Sequence, residues 1–123
     1  MIDHISIPVK NLVSAETFYS IVLEKIGYQV LKKAPGTIGY GKKYPEFWLN
    51  ERPTLSHGEI SDGFHVCLRT SSTESVAAFY HAAIINGGSG DGEPGYRKEY
   101  TQNYYAAFVK DHDGNKIEVV TFT

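Results

Sequence analysis

Residues 4–9 read His-Ile-Ser-Ile-Pro-Val and residues 65–70 read His-Val-Cys-Leu-Arg-Thr, two short runs that each open on a histidine and lead through a polar turn into an amphipathic stretch. The histidines stand 61 positions apart, and the same offset carries Phe18 onto Phe79, Tyr19 onto Tyr80, Leu23 onto Ile84 and Gly27 onto Gly88. The chain is therefore an internal repeat. Duplicated units related by a pseudo-twofold axis bring equivalent first strands to equivalent places, so His4 and His65 can converge although they are far apart in sequence. Two imidazoles with a carboxylate nearby make a donor set for a divalent metal ion.

Each half has the same order of elements. Ile5, Ile7 and Val9 alternate with His4, Ser6 and Pro8, the period of a half-buried strand. Asn11 and Ser14 offer capping oxygens to a helix whose apolar stripe is Ala15, Phe18, Tyr19, Val22, Leu23 and Ile26, ended by Gly27. Three strands are expected next, near 28–32, 37–41 and 46–50, separated by Pro35-Gly36 and by Lys43-Tyr44-Pro45. The polar stretch 51–62 reads as a linker, and a second unit spans 63–123. There Phe64, Val66 and Leu68 take the packing face. Ser71 with Glu74 resembles a capping box before a helix carrying Val76, Phe79, Tyr80, Ala83 and Ile84. The glycine-rich run 89–100 reads as a mobile loop around a short strand, able to act as a flap. Strands at 104–110 and 116–122, joined at Asp113-Gly114, complete the unit. The expected fold is α+β: one domain over residues 1–123, made of two tandem βαβββ units whose curved mixed sheets carry the helices on their convex side.

Parity then selects the candidate site. In the last strand Ile117 and Val119 share one face and Glu118 takes the other. Aligning Ile117-Glu118-Val119 with Phe47-Trp48-Leu49 needs an offset of 70, so the second unit holds about nine extra residues and Glu118 is the counterpart of Trp48. His4, His65 and Glu118 all fall on faces opposite the helices.

The composition excludes several classes of function. Twelve basic against fourteen acidic residues give a net charge of −2 with no basic run, which argues against nucleic acid as a partner. No apolar run approaches the roughly 20 residues that span a bilayer, so no membrane partner is expected. The single cysteine, Cys67, suits a reducing compartment, and with no signal-peptide pattern the expected location is cytoplasmic. Aromatic residues make up 13% of the chain, enough to serve a core or a ligand pocket.

The two histidine-headed units, the stretch IDHISIPVKNLVSAETFYSIVL at 2–23 and the stretch YYAAFVKDHDGNKIEVV at 104–120 resemble the vicinal oxygen chelate superfamily, the group of glyoxalase I, extradiol dioxygenases, fosfomycin-resistance thiol transferases and bleomycin-binding proteins. The resemblance covers essentially the whole chain. It implies that His4, His65 and Glu118 are ligands of a divalent iron, manganese, zinc or nickel ion, and that the substrate is a small molecule with neighbouring oxygens. The chemistry implied is that of a lyase, isomerase, dioxygenase or thiol transferase. The alternative, equally at home on this scaffold, is a metal-free protein that sequesters a small molecule, as bleomycin-binding proteins do. Glyoxalase-type members take a fourth ligand from the strand that here reads Glu-Phe-Trp-Leu-Asn, and Trp48 at that position cannot coordinate metal; Glu46, two residues away, shares its face. His112 replaces the proline usual in the family's Asp-Pro-Asp-Gly turn.

The remaining candidates are substrate contacts. Trp48 is either a stacking wall for a planar substrate or a core aromatic. Arg69 is a candidate for holding an anionic group through its planar fork, whereas Arg97 reads as a solvent-facing loop residue. One of Tyr100, Tyr104 and Tyr105 is expected to enter the cup, and Tyr105 is the candidate. Cys67 reads as inert packing beside His65. His57, His81 and His112 read as surface residues. Exposed sheet edges and partly apolar surfaces point to a homodimer.

Overall fold

The computed structural model describes residues 1–56 and 63–123; His57 and the second half of the expected linker lie outside them. The first unit contains β1 (Ile5–Val9), α1 (Leu12–Glu24), β2 (Gln29–Ala34), β3 (Thr37–Gly41) and β4 (Phe47–Glu51). The second contains β5 (Val66–Arg69), α2 (Thr73–Ile85), β6 (Ser89–Tyr96), β7 (Tyr104–Lys110) and β8 (Lys116–Phe122). The strands form two four-stranded mixed sheets, ordered β1-β4-β3-β2 and β5-β8-β7-β6. In each sheet the first strand lies parallel to the last, a pairing that needs a long crossover, and the helix fills part of it. The registers reproduce the repeat: Ser6 faces Trp48 across the first parallel pair and Cys67 faces Glu118 across the second. Glu118 is thus the structural counterpart of Trp48.

The helices form where sequence signals place them. Asn11 caps α1 by accepting from the Ser14 amide at 3.1 Å. The cap of α2 is Ser72 rather than Ser71, because Ser72 Oγ is the oxygen that reaches the Ser75 amide, also at 3.1 Å. Both helices run into glycines in the left-handed region, Gly27 at φ 86° and Gly87 at φ 94°, where a Cβ would be strained. α1 and α2 pack on their own sheets and on each other, giving one core in which Phe18, Tyr19, Val22, Phe79 and Ala83 are buried beside Phe47, Leu49, Val109 and Val119. Each such large apolar side chain contributes about 1.5–3 kcal/mol of burial free energy. Phe64 falls outside this core, 64% exposed at the head of β5.

A polar latch fastens the units together. The Tyr19 hydroxyl on α1 donates to Asp111 Oδ2 at 2.6 Å, and both residues are buried. Asp111 also accepts from the main-chain amides of Asp113 and Asn115 and from the Asn115 side chain, which in turn donates to the Pro8 carbonyl at 2.8 Å. Asp113 accepts from the Lys10 amide. The turn that reads in sequence as a simple hairpin connection is therefore also the clasp between the halves. His112 is exposed, but its ring meets Phe18 edge-on at 5.4 Å.

The expected mobile loop at 89–100 is mostly strand. β6 pairs antiparallel with β7 through two register shifts, between Gly90 and Gly92 and between Gly92 and Gly95. The glycines serve packing there: a Cβ on Gly90 would collide with the Tyr80 hydroxyl, and one on Gly92 would lie 2.8 Å from the Phe108 ring. Only the turn between Tyr96 and Tyr104 remains outside the ladder, and it is closed by Arg97 N to Tyr104 O and Tyr100 N to Arg97 O.

Candidate metal and substrate site

The open face of the second sheet, away from the helices, carries the chemistry. Alternation along β7 sends Tyr105, Ala107 and Val109 to the main core and Tyr104, Ala106 and Phe108 to a smaller cluster on the opposite face. Glu118 stands on that opposite face of β8. It is only 3% exposed, and each carboxylate oxygen is engaged: Oε2 with His65 Nε2 at 2.9 Å, Oε1 with the Tyr104 hydroxyl. A buried carboxylate needs a compensating partner, and His65 is its only potentially cationic one among the described residues. Burial and the Glu118 carboxylate push the Tyr104 phenol well above its ordinary range, so it remains a proton donor at neutral pH. Burial and the same carboxylate push the Cys67 thiol up to about 12, which keeps it protonated and supports reading it as unreactive.

His65, Glu118 and Tyr104 line a cleft of about 520 Å³ together with Tyr100, Arg97 and Phe108. The Phe108 ring is its hub. His65 meets it at 6.0 Å between ring centroids, while the Arg97 guanidinium lies 5.6 Å and the Lys116 ammonium 5.1 Å from its centre. Lys116 is paired with Asp91 at 2.8 Å, and that ion pair holds the Asp91 carboxyl below its usual range.

His4 lies one residue ahead of β1 and is half-exposed. Its Nδ1 bonds Asp3 at 2.7 Å, an arrangement that leaves Nε2 as the nitrogen available to a ligand or metal. A second cleft of about 480 Å³ has His4, His65, Glu46, Cys67, Tyr44 and Phe64 among its lining residues. The structure thus joins His65 to Glu118 directly and brings His4 to a cleft shared with His65. Among the described residues, no three His, Cys, Asp or Glu side chains converge tightly enough to hold a metal ion. Glu46 is held by the Tyr28 hydroxyl at 2.8 Å.

Trp48, Arg69 and Tyr105 line neither of these two clefts. Tyr105 packs on the helix side, edge-on to Tyr96 at 5.0 Å. Tyr104 and Tyr100 are the phenols in the cleft, stacked edge-on at 5.0 Å. Which of the neighbouring tyrosines enters depends on the register of β7, and the irregular β6 hides that register in the sequence. Arg69 lies 4.6 Å from the centre of the Phe122 ring, outside the cleft lining. Trp48 is half-buried across Gly39, where a Cβ would meet the indole at 2.9 Å. Arg97 lines the cleft rather than standing free in solvent, because the Gly95 and Glu93 carbonyls accept from its fork.

Solved structures share this fold across nearly the whole chain. A glyoxalase/bleomycin resistance protein from Albidiferax ferrireducens superposes with a TM-score of 0.83 at 27% identity, over 96% of this chain and 95% of that one. A glyoxalase/bleomycin resistance protein/dioxygenase family enzyme from Burkholderia phytofirmans gives 0.76 at 17% identity, over 99% and 98%. The genomically encoded fosfomycin resistance protein FosX from Listeria monocytogenes, in complex with Mn(II) and 1S,2S-dihydroxypropylphosphonic acid, gives 0.72 at 14% identity, over 100% and 90%. No functionally curated protein matches the sequence. The profile of the Glyoxalase/Bleomycin resistance protein/Dioxygenase superfamily matches residues 1–119, and with both units accounted for the chain belongs to that superfamily.

Proposed function

We propose that this protein is a small metal-dependent enzyme acting on a small substrate with vicinal oxygens, with His4, His65 and Glu118 as the metal ligands. The observation that carries this reading is the His65–Glu118 pair. A nearly fully buried carboxylate lies 2.9 Å from an imidazole nitrogen, a spacing suited to adjacent ligands of an ion bonded at about 2.0–2.2 Å. Imidazole and carboxylate together suit divalent iron, manganese, zinc or nickel. When bound, such an ion would act as a Lewis acid on an oxyanion or enolate of the substrate.

The chain's own residues supply the rest. Tyr104 fixes the Glu118 carboxylate through its second oxygen, the outer hydrogen bond that orients a metal ligand. Phe108 and Tyr100 line the cleft. A homodimer belongs to the same proposal. β1 and β5 are edge strands, and Ile2 and Phe64, 80% and 64% exposed, flank the cleft between them. A second copy docked on these edges would cover this apolar rim and could bring a His4 to the His65–Glu118 pair.

Elemental analysis of tag-free protein before and after chelation tests the reading. Stoichiometric divalent metal is expected in the native protein and should be lost in Glu118→Ala and His65→Ala but retained in Glu46→Ala, whose carboxylate is bonded to Tyr28. Absence of metal, with no uptake on adding Mn(II), Zn(II), Ni(II) or Fe(II), would favour the sequestering protein instead. Equal loss in Glu46→Ala would indicate a fourth ligand.

A further inference from the structure

The middle of β6 forms one wall of the cleft and has little to hold it there. None of the eight residues of this strand is buried. Its ladder to β7 pairs only Ser89, Gly90, Gly92, Gly95 and Tyr96, with a register shift on either side of Gly92. β6 also ends the sheet order, so its outer edge is unpaired among the described residues. The two ends of the strand are packed, Gly90 against the Tyr80 hydroxyl and Tyr96 edge-on to Tyr105 at 5.0 Å. Arg97 bonds the carbonyls of Glu93 and Gly95, but it stands on the turn that continues β6 and moves with it.

One side-chain tie joins the middle of β6 to another strand. Lys116 Nζ donates to Asp91 Oδ2 at 2.8 Å, and among the described residues no other hydrogen bond or ion pair links a β6 side chain to the rest of the sheet. Lys116 is on β8, and β7 lies between β8 and β6, so the bridge spans a whole strand. Lys116 shares the open face with Glu118, two residues on, and its ammonium stands 5.1 Å from the centre of the Phe108 ring on β7. Asp91, Gly92, Phe108 and Lys116 all line the cleft of about 520 Å³. Both charged partners are 33% exposed, so the bridge is weak and open to screening by salt.

We propose that the Asp91–Lys116 bridge is a salt-sensitive strap that keeps β6 closed over Phe108, and that its release swings the middle of β6 outward and widens the cleft leading to His65 and Glu118. The strap needs neither metal nor ligand, so it stands apart from the metal reading above.

Hydrogen exchange of the full chain, read segment by segment, tests the strap. In about 10 mM salt, Asp91→Asn and Lys116→Gln should each speed exchange across β6 about twofold to fivefold, the range that one exposed ion pair commands. The double variant should match the singles, because all three lose the same bond. At about 1 M salt, where the screening length falls to about 3 Å, native β6 should exchange as fast as in the variants, and the variants should stay within about 1.5-fold of their low-salt rate. Hydroxyl-radical labelling of Phe108, 9% exposed in the native protein, should rise about twofold in Asp91→Asn, which leaves Lys116 in place. Lys33→Gln, which breaks the 2.9 Å pair with Glu16, should change neither readout. The strap is overturned by β6 rates within about 1.5-fold of native in both single variants, by effects that add in the double variant, by a salt response that survives in the variants, or by unchanged Phe108 labelling. Exchange that speeds equally in α1 also overturns it, since the loss would then be general rather than local.

Discussion

Replacing Tyr19 by Phe removes one hydroxyl from the clasp between the units and little else. The ring keeps its edge contact with Phe18 at 5.0 Å and its contact with Phe47 at 5.3 Å, so no cavity opens. What is lost is a 2.6 Å hydrogen bond to a buried carboxylate. Bonds to a charged partner contribute about 1.5–3 kcal/mol, neutral ones about 0.5–1.5. Burial raises the Asp111 carboxyl above its ordinary value, and the Tyr19 hydroxyl works against that shift. A carboxyl raised in the folded state contributes stability that is fully present below its unfolded value and is lost as pH rises through the folded one. Without Tyr19 the folded value rises further, so the variant's deficit grows with pH. The expected loss is about 2–3 kcal/mol at pH 7, falling towards about 1 kcal/mol at about pH 2.5, well below the ordinary aspartate value, where Asp111 becomes neutral in both states. For a chain of this size, the neutral-pH loss corresponds to roughly 10 °C in Tm. Urea unfolding followed by Trp48 fluorescence at both pH values measures it. A deficit below about 0.5 kcal/mol at pH 7, or one equal at both pH values, would refute the account of the clasp.

Two further outcomes follow from the site. Cys67 is open to solvent, but its thiol is held at about 12, so in chelator-treated protein at pH 8 it should react with iodoacetamide at least about 100-fold more slowly than free cysteine. Glu118→Gln removes the carboxylate responsible for part of that shift and should speed the reaction; an unchanged rate would mean that Glu118 does not control the thiol. In sedimentation, the protein should run as a dimer of 13.7 kDa chains at micromolar concentration, and a Phe64→Asp variant should shift it to monomer. A lone 13.7 kDa species for the native chain would overturn the dimer.

Much of this was legible in the sequence because its signals are periodic. Alternation in Ile5, Ile7 and Val9, and again in Ile117, Glu118 and Val119, fixed which face each residue takes, so the pairing of Glu118's face with that of His65 followed without coordinates. The offset of 70 identified Glu118 as the counterpart of Trp48, and the two parallel registers agree. What failed to show was anything set by long-range packing. Glycines at 90 and 92 read as a loop because the side chains that require their small size, Tyr80 and Phe108, come from other elements. The choice of Tyr104 over Tyr105, and the inward turn of Arg97, depend on the bulged pairing of β6 with β7. Asp111 gave no sign in sequence of its bond to a residue 92 positions away.

The clasp also divides labour between two copies that began alike. Asp111, Asn115 and Glu118 lie on one short hairpin, so the second copy must keep a single stretch fit both for fastening its sibling and for presenting the buried acid. The first copy has been released from both duties: counted along the paired hairpin strands, Lys42 falls at the position equivalent to Asp111, and Trp48 at that of Glu118. Substitutions should therefore be tolerated unevenly, with the first copy's turn at 42–45 able to drift while its counterpart stays under constraint. Two copies that began alike have become unlike halves, with the fastening carboxylate and the buried acid both on the second.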